Sequence, residues 1–258
     1  MTSPTQPMNG PDLSLPPPRL DGCTALITGA TRGIGHAVAI AMARAGAHLI
    51  LTGRTAGALE ELDDEIKTAT GRNDSASLIT LNLKHGDKID GLGPALYQRF
   101  GKLDVLVSCA GILGTLTPLG HLKTDAWAEA LDINLTANMR LIRTLDPLLR
   151  LSDAGRAVFV TSGAAAARNA YWGPYAVSKA GLDALVKTYA AEIANTSVRA
   201  NLLSPGPIRT AMRAKAFPGE DPLTLKTPDD IAPVFVHMAA PSMAENGRTY
   251  EYKTGSWA

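Results

Sequence analysis

The chain has 258 residues, 45% hydrophobic and 19% charged, with 25 basic against 24 acidic side chains and a net charge of +1. That composition fits a globular chain with a large core, and a field this balanced argues against nucleic acid or an anionic membrane as a partner. Two cysteines, Cys23 and Cys109, are too few for a disulfide framework, and the histidines at 36, 48, 85, 121 and 237 show no ligand spacing, so no metal site is expected.

The opening "MTSPTQPMNGPDLSLPPPR" lacks a basic start followed by an apolar run, and no stretch has the apolar length of a membrane span. Residues 1–19 are read as a flexible tail, with Pro16 to Pro18 as a short polyproline II piece. "TALITGA" then predicts a buried strand, and "GHAVAIAMARAGA" a helix that stops at Gly46. "HLILTGR" is a second strand. "AGALEELDDEIKTATG" is an amphipathic helix with Leu59, Leu62 and Ile66 on one face. "ASLITLNL" is a third strand, followed by a polar connection and a helix near Leu92–Phe100. "LDVLVSCAG" is a fourth strand. "KTDAWAEALDINLTANMRLIRTLDPLLR" predicts one long helix, "RAVFVTS" a fifth strand and Tyr175–Ile193 a helix. "VRANLLSPG" is a sixth strand. Thr227 and Pro228 open another helix as its cap and first residue, and "RTYEYKTG" is a last edge strand.

Strands that are apolar throughout and alternate with helices imply a parallel sheet covered on both faces. No internal repeat or linker interrupts 20–258, so the fold class is α/β, a single doubly wound domain.

The first strand ends in "TGATRGIG", which places Gly29, Gly33 and Gly35 directly before a helix. Glycines at that point let backbone approach a pyrophosphate, and the helix N-terminus offers free N–H groups. The spacing is G-x-x-x-G-x-G rather than G-x-G-x-x-G. Enzymes that bind NAD on this architecture carry an acid near the end of the second strand to hold a ribose hydroxyl. Here Gly53 stands in its place and Arg54 follows, while Arg32 lies inside the glycine loop. Two guanidiniums suit a 2′-phosphate, which favours NADP(H), with NAD(H) as the alternative.

Tyr175 and Lys179 are four residues apart and share a helix face. Gly173-Pro174 suits a helix entrance, which leaves Tyr171 outside and makes Tyr175 the partner of the lysine. A free tyrosine has a pKa of about 10, and a neighbouring ammonium brings its proton into useful range.

These residues resemble the short-chain dehydrogenases/reductases of the compact single-domain type, over about residues 20–258. The resemblance rests on "TGATRGIG", "CAG" at 109–111, Asn134 in "LDINLTAN", Ser162 in "VFVTSG", "YAVSK" at 175–179 and "PGPIRT" at 205–210. It implies a Rossmann-like sheet and a catalytic set of Ser162, Tyr175, Lys179 and Asn134. In that set Tyr175 is the acid in reduction and the base in oxidation. Ser162 holds the substrate oxygen. Lys179 lowers the tyrosine pKa and grips the nicotinamide ribose, and Asn134 holds a water that links Lys179 to bulk. The implied cofactor contacts are Gly29, Thr31, Arg32, Gly33, Ile34, Gly35, Arg54, Asn82, Leu83, Ala110, Gly111, Tyr175, Lys179, Pro205, Gly206, Ile208 and Thr210. Of these, the backbone of Ile208 and the hydroxyl of Thr210 read the nicotinamide amide. Two departures stand out. Cys109 replaces the family's usual Asn and puts local rigidity in doubt, and it reads as a packing residue rather than a nucleophile. Asn82 replaces an Asp often found at the end of the third strand.

Substrate choice is expected in "GAAAARNAYWG" after Ser162 and in "AMRAKAFPGEDPLTLK" after Thr210. Arg213 and Lys215 read either as contacts to an anionic substrate or as solvated loop charges. Trp172 reads as a substrate wall or a subunit contact. "NAYWGPYAVSK" and "TAMRAKAFPGEDPLTLKTP" also resemble a bacterial subgroup of these reductases with poorly defined substrates. The expected activity is NADPH-dependent reduction of a small ketone or 3-oxoacyl-type substrate in a soluble, cytoplasmic homodimer or homotetramer. The alternatives are an alcohol dehydrogenase running oxidatively and a non-catalytic dinucleotide-sensing or scaffold protein.

Overall fold

The computed structural model describes residues 16–167 and 169–258. Most of the expected tail, residues 1–15, and Arg168 of the expected substrate loop lie outside the described residues. At its start the described chain is tied down. Leu20 is buried and its N–H donates to the Ala45 carbonyl, while the Arg19 guanidinium reaches Asp21 and the Arg44 carbonyl.

Eight strands form one sheet: β1 (Thr24–Thr28), β2 (His48–Gly53), β3 (Ala76–Thr80), β4 (Val105–Ser108), β5 (Arg156–Val160), β6 (Arg199–Ser204), β7 (Thr249–Glu251) and β8 (Ser256–Trp257). Their spatial order is β3-β2-β1-β4-β5-β6-β7-β8, and every pairing is parallel except β7 with β8. Among the described residues ten α-helices connect or flank them: α1 (Gly33–Arg44), α2 (Ala56–Thr70), α3 (Gly86–Asp90), α4 (Leu92–Phe100), α5 (Thr124–Leu131), α6 (Ala137–Arg150), α7 (Ala164–Ala167), α8 (Gly173–Glu192), α9 (Ala211–Ala216) and α10 (Pro228–Ala239). The expected doubly wound α/β fold is what the chain adopts.

The continuous apolar strands have a direct cause. Neighbouring residues on a strand face opposite ways, and both faces are covered. Ile27, Leu51 and Val107 pack under α1, α2 and α10, whereas Leu26, Ile50 and Leu106 pack under α4, α6 and α8. Phe159 is fully buried on the second face, and its truncation to Ala is expected to cost about 3–5 kcal/mol. Thr227 and Asp230 close a capping box at the start of α10, as the sequence predicts. Arg156, buried at the start of β5, donates to the Ala240 and Pro241 carbonyls just beyond the other end of α10.

Two expectations need correction. The helix expected as one piece across 123–150 contains a π turn at Asp132–Thr136 between α5 and α6. The backbone stays in the right-handed helical region there, so the added residue widens the helix without ending it. The expected last edge strand is not the edge. β7 lies between β6 and the two-residue β8, held by the Tyr250–Trp257 ring pair at 5.3 Å. Two residues are too few for any periodicity to show.

Candidate active site

The strand order reverses where β1 lies between β2 and β4, and ligands of open α/β sheets bind beyond the strand ends at that point. The glycine loop sits there, and its glycines answer to sterics. A methyl on Gly29 (φ 66°) would lie 2.8 Å from the Ala110 Cα, and one on Gly35 would lie 2.3 Å from the Gly29 carbonyl oxygen. Gly33 (φ 57°) faces Thr210, whose methyl would be 3.5 Å from an added Cβ. The loops after β1, β4 and β6 are thereby drawn together. No side chain caps the start of α1, and no acidic residue occupies its first turn.

At the end of β2, a methyl on Gly53 would lie 2.6 Å from the Thr31 methyl, so Thr31 crowds the place where an acid would stand. Arg32 and Arg54 are exposed, and no carboxylate among the described residues pairs with either. Asn82 and Leu83 follow β3 half-buried, with the Asn82 amide oxygen accepting from the Lys84 N–H at 3.1 Å. After β6 come Pro205 and Gly206 (φ 69°), then Ile208, which is buried and bridges to Lys226. Thr210 caps α9 through the Arg213 N–H. The Ile34 side chain is partly buried and packs against the core.

The end of β5 meets the first half of α8. Tyr175 and Lys179 are both buried, at 9% and 4% exposure, on adjacent turns. The Lys179 ammonium donates to the Val160 carbonyl at 2.8 Å and lies 5.9 Å from the Tyr175 ring centre. Burial pulls its pKa down to about 8, against the upward pull of Asp183 and Cys109. Burial pushes the Tyr175 phenol up, and the Ser162 side chain acts in the opposite direction. The expected lowering of the tyrosine by its lysine is not seen here: burial dominates, and the downward pull comes from Ser162. Asp183, one turn further along α8, accepts a hydrogen bond from Thr161. Tyr171 stands outside α8, as the sequence predicts. It is exposed, has a φ of 72°, and its carbonyl accepts from the Thr117 N–H at 3.0 Å.

Asn134 sits fully buried inside the π turn. Its amide accepts from the Ile112 N–H at 2.8 Å and donates to the Ile112 carbonyl and to Ser178, each at 2.9 Å. Gly111 lies beside it, where an added methyl would be 3.3 Å from the Asn134 amide oxygen and 3.7 Å from the Lys179 nitrogen.

Cys109 is half-buried against the core, and burial pushes its thiol up to about 12, which keeps it an inert packing residue. The rigidity that Cys109 put in doubt comes from neighbours that sequence reasoning passed over. Ser108 shares a hydrogen bond with Thr28 and donates to Asn138 at 2.6 Å, and the Asn138 amide donates to the Asn134 carbonyl. Thr28 also accepts from the Ala110 N–H at 3.3 Å. This chain ties β1, β4 and the π turn together.

One wall is aromatic. Trp172 packs edge-on to Tyr175 at 5.9 Å and against Phe217 at 5.5 Å. Arg213 covers the other side of this wall, 3.7 Å from the Phe217 ring centre, and pairs through two nitrogens with Glu220 at 2.6 Å. Arg213 is thus committed within the protein, whereas Lys215 is exposed. Among the described residues no group of histidine, cysteine or acidic side chains is arranged to hold a metal, and no helix is long and apolar enough to cross a membrane.

A family model described as short chain dehydrogenase matches residues 23–221. YciK of Escherichia coli K12, described as an uncharacterized oxidoreductase, is 36% identical over 231 residues, which span 89% of this chain and 91% of YciK. The 3-oxoacyl-[acyl-carrier-protein] reductase FabG of Thermotoga maritima is 34% identical over 199 residues, 76% of this chain and 78% of that protein. A chain from Escherichia coli CFT073, solved in complex with NADPH, superposes with a TM-score of 0.87 at 34% identity, over 93% of this chain and all of that one.

Proposed function

This chain belongs to the short-chain dehydrogenase family and is an oxidoreductase, and from that premise we propose that it uses NADPH to reduce a carbonyl to an alcohol. The observation that carries the proposal is the meeting of Ser162, Tyr175 and Lys179 beside the glycine cradle. The cradle fits a dinucleotide. Backbone at Gly29 and Gly35 leaves no room for side chains, Gly33 holds a positive φ of 57°, and the uncapped start of α1 offers N–H groups to a pyrophosphate. Arg32 and Arg54, free of carboxylates, support NADP(H) over NAD(H), with the adenine side at Asn82 and Leu83 and the nicotinamide amide at Ile208 and Thr210.

A bound nicotinamide would supply the hydride. The chain supplies the proton and the geometry. Ser162 holds the carbonyl oxygen, and the Tyr175 hydroxyl gives its proton to that oxygen as negative charge develops there. A phenol kept protonated by burial is suited to that donor role. The Lys179 ammonium stabilises the phenolate left behind. Asn134 and Gly111 border the route by which a water relays a new proton to Lys179.

The wall of Trp172 and Phe217 and the internal pairing of Arg213 support a substrate whose group beside Tyr175 is apolar and uncharged. A small ketone or a 3-oxoacyl-type substrate meets that description. Two free thiols support a cytoplasmic setting, and exposed Met139 on α6 with Val177 on α8 supports a homodimer or homotetramer built on these helices. Residues 20–258 act as one catalytic domain in this reading.

The test is the loss of reduced-nicotinamide absorbance against a panel of diketones, aldehydes and acetoacetyl thioesters. Turnover with NADPH that disappears in Tyr175→Phe supports the proposal. NADPH binding with no turnover on the whole panel supports the scaffold alternative.

A further inference from the structure

Three consecutive residues at the end of β5 engage three residues of α8 spaced four apart. The Val160 carbonyl accepts from Lys179, the Thr161 hydroxyl donates to Asp183, and the Ser162 side chain interacts with Tyr175. Spacing of four places Tyr175, Lys179 and Asp183 on one helix face. Two of the three contacts belong to the chemistry proposed above. The third joins two side chains with no assigned part in it. Thr161 is buried, and its N–H donates to the Leu203 carbonyl of β6 at 2.9 Å, so its backbone is set by the sheet while its side chain is set by α8.

We propose that Asp183 is a positioning residue of this site: by accepting from Thr161 it locks the end of β5 onto α8, and so sets Ser162 against Tyr175 and Lys179 against Val160. The proposal rests on the catalytic reading of Tyr175 and Lys179. Phe159 of β5 also packs in one buried cluster with Leu182 and Val186 of α8, but of the three polar contacts at the strand end the Thr161–Asp183 bond alone uses groups that need not serve substrate or cofactor.

Asp183 acts on Lys179 a second way. Its charge favours the ammonium that burial disfavours. Asp183 is half-buried and faces Lys179 and Lys187 on its own helix and Glu251 on β7. Burial and Glu251 raise its pKa, while Thr161 and the two lysines hold it down. With the Asp183 charge removed, Lys179 loses its proton at lower pH.

Four variants separate the two effects. Thr161→Val removes the hydrogen bond and keeps the charge; kcat is expected to fall about tenfold with little change in KM for NADPH. Thr161→Ser restores the donor and most of the rate. Asp183→Asn keeps an acceptor for Thr161 and removes the charge; the alkaline limb of kcat/KM moves to lower pH. Asp183→Leu combines the rate loss with the pH shift. Titration of the Lys179 side chain by NMR of protein carrying carbon-13 lysine, assigned with Lys179→Arg, reads the electrostatic part without turnover. A lower Lys179 pKa in Asp183→Asn is expected. Wild type that binds NADPH but never turns over defeats the catalytic reading, and the NMR titration then decides whether Asp183 supports the Lys179 charge. An unmoved Lys179 titration, or a Thr161→Val enzyme with wild-type kcat, overturns the proposal.

Discussion

The Lys179 ammonium rests on the Val160 carbonyl at 2.8 Å, and no carboxylate among the described residues bonds to it. A charge held this way is costly to fold around. Its pKa falls from 10.5 to about 8, which corresponds to a penalty on the order of 3 kcal/mol at neutral pH. Between about pH 8 and 10.5 the unfolded chain carries the Lys179 proton and the folded one does not. Stability contributed by this group therefore rises across that window, and the full penalty applies below it. Lys179→Met is expected to melt several degrees above wild type at pH 7, a gap that narrows toward pH 10, and to lose turnover. Thermal melts across pH test this, and a gap that is absent or constant with pH contradicts it.

Tyr175 and Tyr171 offer a sharper contrast. Burial favours the protonated phenol of Tyr175, whereas Tyr171 is exposed and outside the helix. Tyr175→Phe is expected to lower kcat by about 10²–10⁴-fold and to leave NADPH binding largely intact, and Tyr171→Phe to stay near wild type. Reduction should fall and oxidation should rise as pH climbs through the tyrosine titration, since one needs the phenol and the other the phenolate. Paired kinetics in both directions check the sign.

Much of this architecture is legible in the sequence. The strand and helix order follows from apolar runs whose two faces are both covered, and the glycine loop and the Tyr175–Lys179 pair are local in sequence. What escaped is non-local or depends on backbone detail. The π turn that carries Asn134 lengthens the backbone hydrogen-bond span by one residue relative to an α-helix, and no side-chain pattern marks it. Thr161 and Asp183 are 22 residues apart, and Ser108 and Asn138 are 30 apart, so neither pair has a spacing signal. Arg213 reads in sequence as an anion contact or a solvated charge, and its actual partners are Glu220, seven residues on, and the Phe217 ring.

The proposed use of NADPH puts cofactor choice at the end of β2. Arg32→Ala and Arg54→Ala are each expected to weaken NADPH binding about tenfold or more, with NADH affinity little changed, because a charge-assisted contact to phosphate is lost. Titration of both reduced cofactors by fluorescence reads the ratio. Equal weakening of NADH would place these arginines elsewhere on the dinucleotide. Gly53→Asp alone should fail to create an NAD enzyme, since its Cβ meets the Thr31 methyl at 2.6 Å and the Leu59 side chain at 3.3 Å.

Two glycines on neighbouring helices should respond in opposite directions to the same substitution. A methyl on Gly35 would meet the Gly29 carbonyl oxygen at 2.3 Å, a backbone atom that cannot yield without moving the cradle. Gly35→Ala is expected to destabilise the fold by several kcal/mol and to abolish NADPH binding. Gly57 lies in the first turn of α2 with nothing within 4 Å of an added methyl. There Ala restricts only the unfolded chain and favours the helix, so Gly57→Ala is expected to stabilise by about 0.5–1 kcal/mol with activity unchanged. Urea unfolding of the two variants, followed alongside NADPH binding, tests both halves. A Gly35→Ala protein as stable as wild type would mean that α1 can shift away from Gly29, and that the cradle is held by less than the close packing of these two glycines.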